Sequence, residues 1–299
     1  MATFFETANE VVNGKGTKQS KVNALVELGM MRQEAEMFYE IHHEGVNIRH
    51  RASFDYTFGV EIECLVKQNL TFGLFRAYNV PFEYNNRYYH TNGNSTFQFK
   101  RDGSLRCGLC NYSPLELVSP VLKSQGGFAQ LEQACKALNN ANTKVNRSCG
   151  LHVHIGAAGL SVEQYTNVFR NYQMLESVID SFMAPSRREN RNTYCSSLKG
   201  IRLDNVTSHD EVEMAFGFDR YHKVNAMSWD SHNTIEFRQH QGTTDYAKIK
   251  NWVTFCAKLV EFSKSNLITS QVTSVDQIPF LTKTEKKFFN NRVEALRNI

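Results

Sequence analysis

Three short segments of the sequence, residues 60–64, 151–155 and 235–238, alternate ionisable side chains with apolar ones. In a β-strand, residues two apart point to the same face, so each segment would present its ionisable pair on one face and its apolar side chains on the other. The ionisable pairs are Glu61 with Glu63, His152 with His154, and Glu236 with Arg238. If these strands lie in one sheet, all three pairs converge on its open side. Glu116, between two leucines, would join them from a fourth strand.

This combination of side chains indicates metal–phosphate chemistry. Carboxylates that lie close together repel one another unless a cation neutralises them. Mg²⁺ prefers carboxylate oxygens and usually completes its shell with substrate phosphates, and a histidine in the set tolerates Mn²⁺ or Mg²⁺. Arginine suits a phosphate group or a transition state that gains negative charge. Alone, Glu61 and Glu63 are more typical of the solvated side of a strand, and His152 and His154 also fit a zinc pair or a packed polar pair. The three pairs together favour a site.

The rest of the sequence predicts the elements that would position these pairs. Alternating or apolar runs predict strands, and apolar residues at helical spacing predict helices. Strands are expected over residues 56–66, 97–101, 115–122, 151–155 and 234–240, and helices over 126–140, 161–182, from a cap at Thr244 through 260, and over 284–297. Residues 184–225 are expected to form loops with short helical pieces. This order predicts an α+β fold, with one sheet and helices on one side of it.

The first part of the chain has a different pattern. Residues 1–50 are predicted to form a helical N-terminal leader, because residues 21–28 and 33–41 carry apolar side chains at helical spacing with Gly29 between them. A DNA-reading helix-turn-helix is the alternative, but three glutamates in the second helix disfavour contact with phosphate. Residues 51–299 are expected to form a single domain.

Composition excludes several classes of protein. The chain has 299 residues and a formal net charge of only +4, so nucleic-acid binding is not indicated. No apolar run approaches the roughly 20 residues that span a bilayer, and the first ten residues lack the apolar region of a secretory signal. Seven scattered cysteines then predict reduced thiols and a cytoplasmic location. Cys107 and Cys110 form one CxxC without a second, which is typical of packed or loop thiols.

Four motifs carry a family resemblance. Their sequences are FGVEIE at 58–63, ELVSP at 116–120, CGLHVH at 149–154, and TIEFR at 234–238 with Gly242-Thr243 after it. In order and spacing the set resembles the amidoligase family of the glutamine-synthetase-like carboxylate–amine ligases. The resemblance covers about residues 55–265 and leaves out the leader and the last thirty or so residues.

The resemblance implies a glutamine-synthetase-like fold, in which an antiparallel sheet with helices packed on one face forms the floor of the active site. It also implies ATP with two or more Mg²⁺ ions, or Mn²⁺ in their place. The implied metal ligands are Glu61, Glu63, Glu116, His154 and Glu236. The implied ATP-binding residues are His152, His154, Arg187, Arg220 and Arg238, with His154 favoured over His152. Arg238, Arg220 and Glu236 are the implied catalytic residues.

Two further segments, Asp102-Gly103-Ser104 and Arg220-Tyr221 with Asn225, resemble the family less closely, and Arg220 is a candidate clamp for a phosphate or carboxylate. Asp102-Gly103-Ser104 resembles a family turn that would hold substrate or act only as a turn. Arg187, Arg188 and Arg191 form a basic loop, which either closes over ATP or is a solvated charge cluster.

The resemblance implies that a substrate carboxylate is activated by ATP as an acyl phosphate, which an amine then converts to an amide. The acid and amine are an amino acid, a peptide or a modified nucleotide, and relatives occur in phage genomes. No residue is assigned as the general base. Two other functions stay open: a metal-dependent hydrolase that uses His152 and His154 without ATP, and a non-enzymatic interaction protein that retains the fold.

Overall fold

A computed structural model describes residues 4–30, 32, 35, 36, 39, 56–85 and 95–297. Its contacts divide the chain into two compact units, Met1–Asp55 and Tyr56–Ile299. Whether residues 1–50 and 51–299 behave as separate domains stays a prediction. Among the described residues, no helix combines the length and the apolar composition needed to cross a bilayer.

The first unit contains helix α1 (Phe4–Asn13) and helix α2 (Lys18–Glu27). Thr17 begins α2, because its side chain accepts a hydrogen bond of 3.2 Å from the backbone N–H of Ser20. A helix was expected over residues 21–28 and α2 occupies most of that range, whereas α1 was not expected. Most of the helix expected over residues 33–41 lies outside the described residues.

The second unit is built on an eight-stranded sheet. Its strands are β1 (Thr57–Val66), β2 (Phe82–Asn85), β3 (Phe97–Arg101), β4 (Ser113–Val118), β5 (Leu122–Lys123), β6 (Gly150–Gly156), β7 (Val224–Asn225) and β8 (Thr234–Gln241). They lie in the order β2-β3-β4-β1-β6-β8-β7, and β5 pairs with β1. The pairs are antiparallel except β2 with β3, which run parallel. The α+β class is confirmed, but a wholly antiparallel sheet is wrong at this edge.

Helices connect and cover these strands. They are α3 (Gln68–Ala77), α4 (Ser124–Asn140), α5 (Val162–Ser181), α6 (His209–Ala215), α7 (Ser228–His232), α8 (Tyr246–Ser263) and α9 (Lys283–Ala295), with 3₁₀ turns at Pro185–Arg187 and Val275–Gln277. Helix α5 begins with the expected capping box of Ser161 and Gln164. The cap expected at Thr244 is wrong by one residue, because the Asp245 side chain accepts the Lys248 N–H at 3.2 Å.

The strand expected over residues 115–122 is broken in two. Ser119 still bonds to β1, where its N–H donates to the Val60 carbonyl at 2.9 Å. Its hydroxyl accepts the Val60 N–H, also at 2.9 Å. Pro120 follows without a backbone N–H, so β4 cannot continue through it. The chain resumes pairing with β1 at β5.

Aromatic contacts show which face of the sheet the helices cover. The ring centroid of Phe99 on β3 lies 5.1 Å from that of Phe72 on α3. Phe58 on β1 lies 4.8 Å from Phe128 on α4, and a tyrosine of α5 contacts Phe237 on β8. These strand residues alternate with the ionisable pairs, so the apolar face is buried beneath helices and the polar face is left for a site.

A buried ion cluster lies on the helix side of the sheet. Lys223 Nζ is 2.8 Å from Glu176 Oε1 and 2.7 Å from Asp180 Oδ1, both on α5, and the Lys223 side chain is fully buried. The two carboxylates also hold the loop that follows α5. Glu176 accepts the Leu198 N–H at 3.0 Å, and Asp180 accepts the Glu189 N–H at 2.9 Å. Lys223 therefore neutralises the two acids that anchor this loop.

Replacing Lys223 tests this cluster. Lys223→Met leaves two buried carboxylates without their cation, which costs about 3–5 kcal/mol. We expect urea unfolding, followed by circular dichroism, to show a loss of this size. Lys248→Met is the matched control, because Lys248 and its partner Asp245 are 42% and 47% exposed; we expect it to change stability by less than about 0.5 kcal/mol. A loss below about 1 kcal/mol for Lys223→Met would contradict this role.

The buried His240 predicts a component of acid sensitivity. Burial, with a smaller contribution from Arg292, lowers the pKa of His240 to about 3. The unfolded chain takes up a proton at His240 below about pH 6.5 and the folded chain does not, so stability falls as the pH decreases. From pH 6.5 to 5 this amounts to about 2 kcal/mol, at roughly 1.4 kcal/mol per pH unit.

His240→Phe keeps an aromatic ring near Trp252, whose ring centroid lies 5.7 Å from that of His240. Other titrating groups contribute equally to both proteins, so the difference between their pH slopes isolates His240. We expect the variant to lose about 2 kcal/mol less than the wild type between pH 6.5 and 5. Equal slopes would show that His240 is not the group responsible.

Candidate active site

The register of the central strands brings the ionisable pairs together. Glu63 on β1 lies opposite Glu116 on β4. On the other side of β1, Glu61 lies opposite His152 on β6. His154 in turn lies opposite Glu236 on β8. Four neighbouring strands therefore place six of the expected site residues on one face of the sheet.

A cavity of about 380 Å³ lies above this face, and we call it the arginine cavity. It is lined by Glu61, Glu63, Lys100, Arg101, Asp102, Gly103, Ser104, Glu116, Ser148, His152, Arg187, Tyr194, Arg220, Tyr221 and Arg238. Acidic and basic groups thus share one enclosed volume. Such a set can hold anionic substrates together with cations that offset their charge.

A second cavity of about 350 Å³ adjoins the first, and we call it the apolar cavity. Its lining is Thr57, Phe58, Gly59, Val60, Glu61, Lys100, Val118, Ser119, Pro120, Val121, His154, Gly156, Ser231, His232, Asn233 and Thr234. Only Glu61 and Lys100 line both cavities among the described residues. A ligand that reaches from one cavity into the other must pass these two side chains.

His152 occupies the centre of the acidic cluster. Its Nδ1 lies 3.0 Å from Glu61 Oε2 and 3.4 Å from Glu236 Oε1. Its Nε2 lies 3.5 Å from Glu63 Oε1. The imidazole of His152 therefore contacts carboxylates on β1 and β8, the two strands that flank β6. Between the residues that flank His152, the pairing of β6 with β8 shifts by a bulge, a feature often found beside functional sites.

His154 is held in a different way. Its Nδ1 forms a 3.0 Å hydrogen bond with the Thr234 hydroxyl. Its Nε2 is buried without a hydrogen-bond partner, 3.5 Å from Glu61 Oε1 and 4.0 Å from Glu236 Oε1. The Thr234 hydroxyl thus fixes Nδ1 and leaves Nε2 facing two carboxylates. Histidines that bind metal ions are commonly held in this way.

Glu236 is fixed from both sides. Arg238 Nη1 donates to Glu236 Oε1 at 2.5 Å, and the Asn225 amide donates to its Oε2 at 2.6 Å. Burial alone would raise the pKa of Glu236, but the charges of Arg238, His154 and His152 together outweigh it and the pKa is lowered. Glu236 is therefore ionised and immobile, as a metal ligand needs to be.

The histidines keep Glu61 ionised as well. Burial would raise the pKa of Glu61, but the hydrogen bond with His152 and the nearby imidazole of His154 hold it well below its usual range. Burial would lower the pKa of His154, yet Glu61 and Glu236 raise it. Glu61 thus carries a full negative charge at neutral pH, which favours binding of a cation beside it.

The other two carboxylates, Glu63 and Glu116, have raised pKa values. Burial raises the pKa of Glu63, although His152 partly offsets it. The pKa of Glu116 is raised well above its usual range by burial and by the charges of Glu61 and Glu63. Both shifts are those expected of carboxylates that lack a neutralising cation.

Three sets of potential metal ligands lie in the cluster, each with its ligand atoms within 4.8 Å of one another. They are Glu61 with His154 and Glu236, Glu61 with Glu116 and His152, and Glu63 with Asp102 and Glu116. Carboxylates dominate all three, which suits Mg²⁺ or Mn²⁺ better than a softer metal. The unpartnered His154 nitrogen and the raised pKa of Glu116 both fit the addition of a divalent cation.

The arginines expected at the site are only partly gathered there. Arg187, Arg220 and Arg238 line the arginine cavity. Arg188 instead donates to the Met183 and Leu296 carbonyls, so it has a structural role. Arg191 is 57% exposed and lies 3.4 Å from Glu189. The basic loop therefore contributes only Arg187 to the cavity among its three arginines. Arg188 has a structural role and Arg191 is solvated.

Arg187 is deeply placed, since only 3% of it is exposed. Its Nη2 donates to the Cys149 carbonyl at 2.6 Å. A Cβ at Gly150 would lie 3.3 Å from both terminal nitrogens of Arg187 and 3.1 Å from His152 Nε2. Glycine is thus the residue that lets the guanidinium and imidazole approach the start of β6, where the Gly150 N–H also donates to Glu63.

Sequence reasoning missed several cavity residues. Lys100 was recognisable, since it alternates with Phe97 and Phe99 on β3 in the same way as the ionisable pairs do. Asp102 was treated as a turn residue, and its Oδ1 does accept the Ser104 N–H at 2.7 Å. Its place among the potential ligands depends on a chain reversal that the sequence does not specify. Tyr194 gave no signal in the sequence, whereas Tyr221 belongs to the Arg220-Tyr221 segment that resembles the family.

Residues 54–260 match the sequence profile of a family described as "Putative amidoligase enzyme". No curated protein matches the chain. Among solved structures, a bifunctional glutathione synthetase from Pasteurella multocida is similar at 12% identity and a TM-score of 0.34, covering 87% of this chain and 46% of that chain. The chain thus spans less than half of that protein, and so low a TM-score does not establish a shared fold. The family match covers more than half of the chain and includes all four strand motifs, so the chain belongs to the amidoligase family.

Proposed function

We propose that this protein is an ATP-dependent carboxylate–amine ligase that forms an amide through an acyl phosphate at a site with at least two Mg²⁺ ions. Its membership of the amidoligase family supports an amide-forming ligase. The observation that carries the finer proposal is the cluster of carboxylates and histidines at the polar face of the sheet, which offers two separate groups of metal ligands, Glu61–His154–Glu236 and Glu63–Asp102–Glu116.

The two cavities suggest where the reactants bind. An adenine base is flat and neutral, so it fits the apolar cavity, whose lining includes Val118, Pro120 and Val121. The substrate carboxylate is anionic and fits the arginine cavity. The triphosphate then reaches the junction at Glu61 and Lys100, where the reacting carboxylate meets the γ-phosphate.

Metal ions held by these ligand groups would neutralise the phosphate oxygens and the carboxylates at once. The chain's own residues supply the rest. Arg238, Arg187 and Arg220 line the wall of the arginine cavity and offset the charge of the transferring phosphoryl group. Glu236 fixes the guanidinium of Arg238, so that this charge is in place before the reaction begins.

In the first step a carboxylate oxygen of the substrate forms a bond to the γ-phosphorus. The bond from that phosphorus to the β,γ-bridging oxygen breaks, and ADP leaves with the electron pair. In the second step the amine nitrogen bonds to the acyl carbon, the C–O bond to phosphate breaks, and the amine loses a proton to solvent. The arginine cavity holds the reactants in line for both steps.

Hydroxylamine tests this reaction without knowledge of the natural amine. Purified protein with ATP, Mg²⁺, hydroxylamine and a panel of carboxylic acids is expected to release phosphate and form a hydroxamate in equal amounts with a suitable acid. Omitting ATP or adding EDTA is expected to abolish both products. Hydrolysis of test substrates without ATP would instead favour the metal-dependent hydrolase. Absence of nucleotide binding together with absence of turnover across the panel would contradict the ligase.

Glu61→Gln tests the metal cluster, because Glu61 belongs to two of the three ligand sets and lies at the junction of the cavities. An amide is a poorer ligand than a carboxylate, so we expect Mg²⁺-dependent binding of a non-hydrolysable ATP analogue to weaken at least tenfold, or by about 1.4 kcal/mol. Calorimetry with and without Mg²⁺ measures this.

The matched control is Glu132→Gln. Glu132 lies on α4, is 37% exposed and pairs with Lys136 at 3.1 Å. We expect it to bind the analogue as the wild type does. If Glu61→Gln and Glu132→Gln were indistinguishable in Mg²⁺-dependent binding, Glu61 would not be a metal ligand.

A further inference from the structure

We propose that Lys100 is a catalytic residue, whose ammonium group contacts the transferring phosphoryl group during formation and breakdown of the acyl phosphate. This inference rests on the proposed ligase function and deepens it. Lys100 lies outside the four family motifs. Its position in the sheet and at the junction of the two cavities supports this role.

The sheet directs Lys100 toward the site. Lys100 lies on β3 with its Cα opposite that of Glu116 on β4. The side chains of Phe97 and Phe99, which alternate with it, are buried. Phe99 contacts the helix that covers the apolar face. Lys100 therefore points to the polar face, where it is only 5% exposed.

Its position at the junction of the cavities separates Lys100 from the other cations. It lines both the arginine cavity and the apolar cavity, and the only other described residue that does so is Glu61. Two reactants that enter from opposite cavities meet where those cavities join. The transferring phosphorus is therefore expected beside Lys100, whereas Arg101, Arg187, Arg220 and Arg238 line the arginine cavity alone.

Lys100 adds a cation at the junction itself, whereas the arginines act on the phosphoryl group from the arginine cavity. Once metal ions offset the carboxylates, the charge of Lys100 acts on the phosphate oxygens. A lysine ammonium is a compact charge on a flexible stem, so it can follow the phosphorus as the bond to ADP lengthens and the bond to the carboxylate forms.

The same ammonium serves the second step. When the amine nitrogen bonds to the acyl carbon, the C–O bond breaks and its electron pair leaves with the phosphate. Lys100 remains beside that phosphate and offsets the charge that it gains. Removal of Lys100 should therefore weaken binding of the transferring phosphoryl group far more than binding of ADP.

ADP with aluminium fluoride and Mg²⁺ mimics a phosphoryl group in transfer, and this pair of probes tests the inference without knowledge of the acid. Calorimetry compares ADP–Mg²⁺ with ADP–Mg²⁺–aluminium fluoride for the wild type, Lys100→Met and Lys100→Arg. The wild type is expected to bind the second probe more tightly than the first. Lys100→Met is expected to change ADP affinity less than twofold and to lose at least tenfold of the affinity for the fluoride complex. Lys100→Arg is expected to lose less.

Controls separate catalysis from structure. Lys136→Met removes a lysine that is 51% exposed on α4 and is expected to bind both probes as the wild type does. Lys100→Gln replaces Lys100→Met if the latter fails to fold, as judged by thermal unfolding. Equal loss of both probes, or no loss of either, would overturn the catalytic role of Lys100. If the wild type bound neither probe, the proposed ligase function itself would fail, and the role of Lys100 with it.

Discussion

The repulsion among carboxylates on one face of the sheet is the constraint on which the rest of this structure depends. Glu61, Glu63, Glu116 and Glu236 are held close together by strand register, where burial makes their charges costly. The chain compensates in part. His152 contacts Glu61, Glu63 and Glu236, and Arg238 also bonds to Glu236. Burial and the negative charge that remains uncompensated raise the pKa of Glu116, and a divalent cation would lower it.

The two faces of the sheet have different roles, packing against helices on one and forming the candidate site on the other. On one face, aromatic and aliphatic side chains pack beneath helices α3, α4 and α5 and give the strands a fixed register. On the other face that register determines which ionisable groups meet, because a slip of one residue would turn every pair away from the cavity. The Lys223 cluster links the two, since the acids that it neutralises anchor the loop that carries Arg187 and Tyr194 to the cavity.

Alternation in the sequence was sufficient to predict the floor of the site. A strand that carries Glu61 and Glu63 can bury its aliphatic residues only if both carboxylates point to the opposite face. The face on which these carboxylates lie could therefore be predicted from the local pattern alone. The N-terminal capping box of α5 was readable for the same reason, since its two partners are three residues apart. In contrast, the parallel pairing of β2 with β3 depends on which strands become neighbours.

The walls of the site were harder to predict than its floor. Tyr194, Tyr221 and Asp102 reach the arginine cavity from loops, and their positions follow from tertiary contacts rather than from any periodicity. Cap position likewise depends on a choice between adjacent residues, and Asp245 rather than Thr244 makes the bond to the helix. Long-range anchors such as the bond from Asp180 to the loop backbone join residues of different elements, which no local pattern specifies.

Anomalous X-ray diffraction tests the central claim most directly. Crystals grown with Mn²⁺ and a non-hydrolysable ATP analogue should show at least two anomalous peaks among the carboxylates at the polar face of the sheet. One is expected among Glu61, His154 and Glu236, and the other among Glu63, Asp102 and Glu116. Crystals with the nucleotide and Mn²⁺ bound elsewhere, or with no anomalous peak near these carboxylates, would contradict the account.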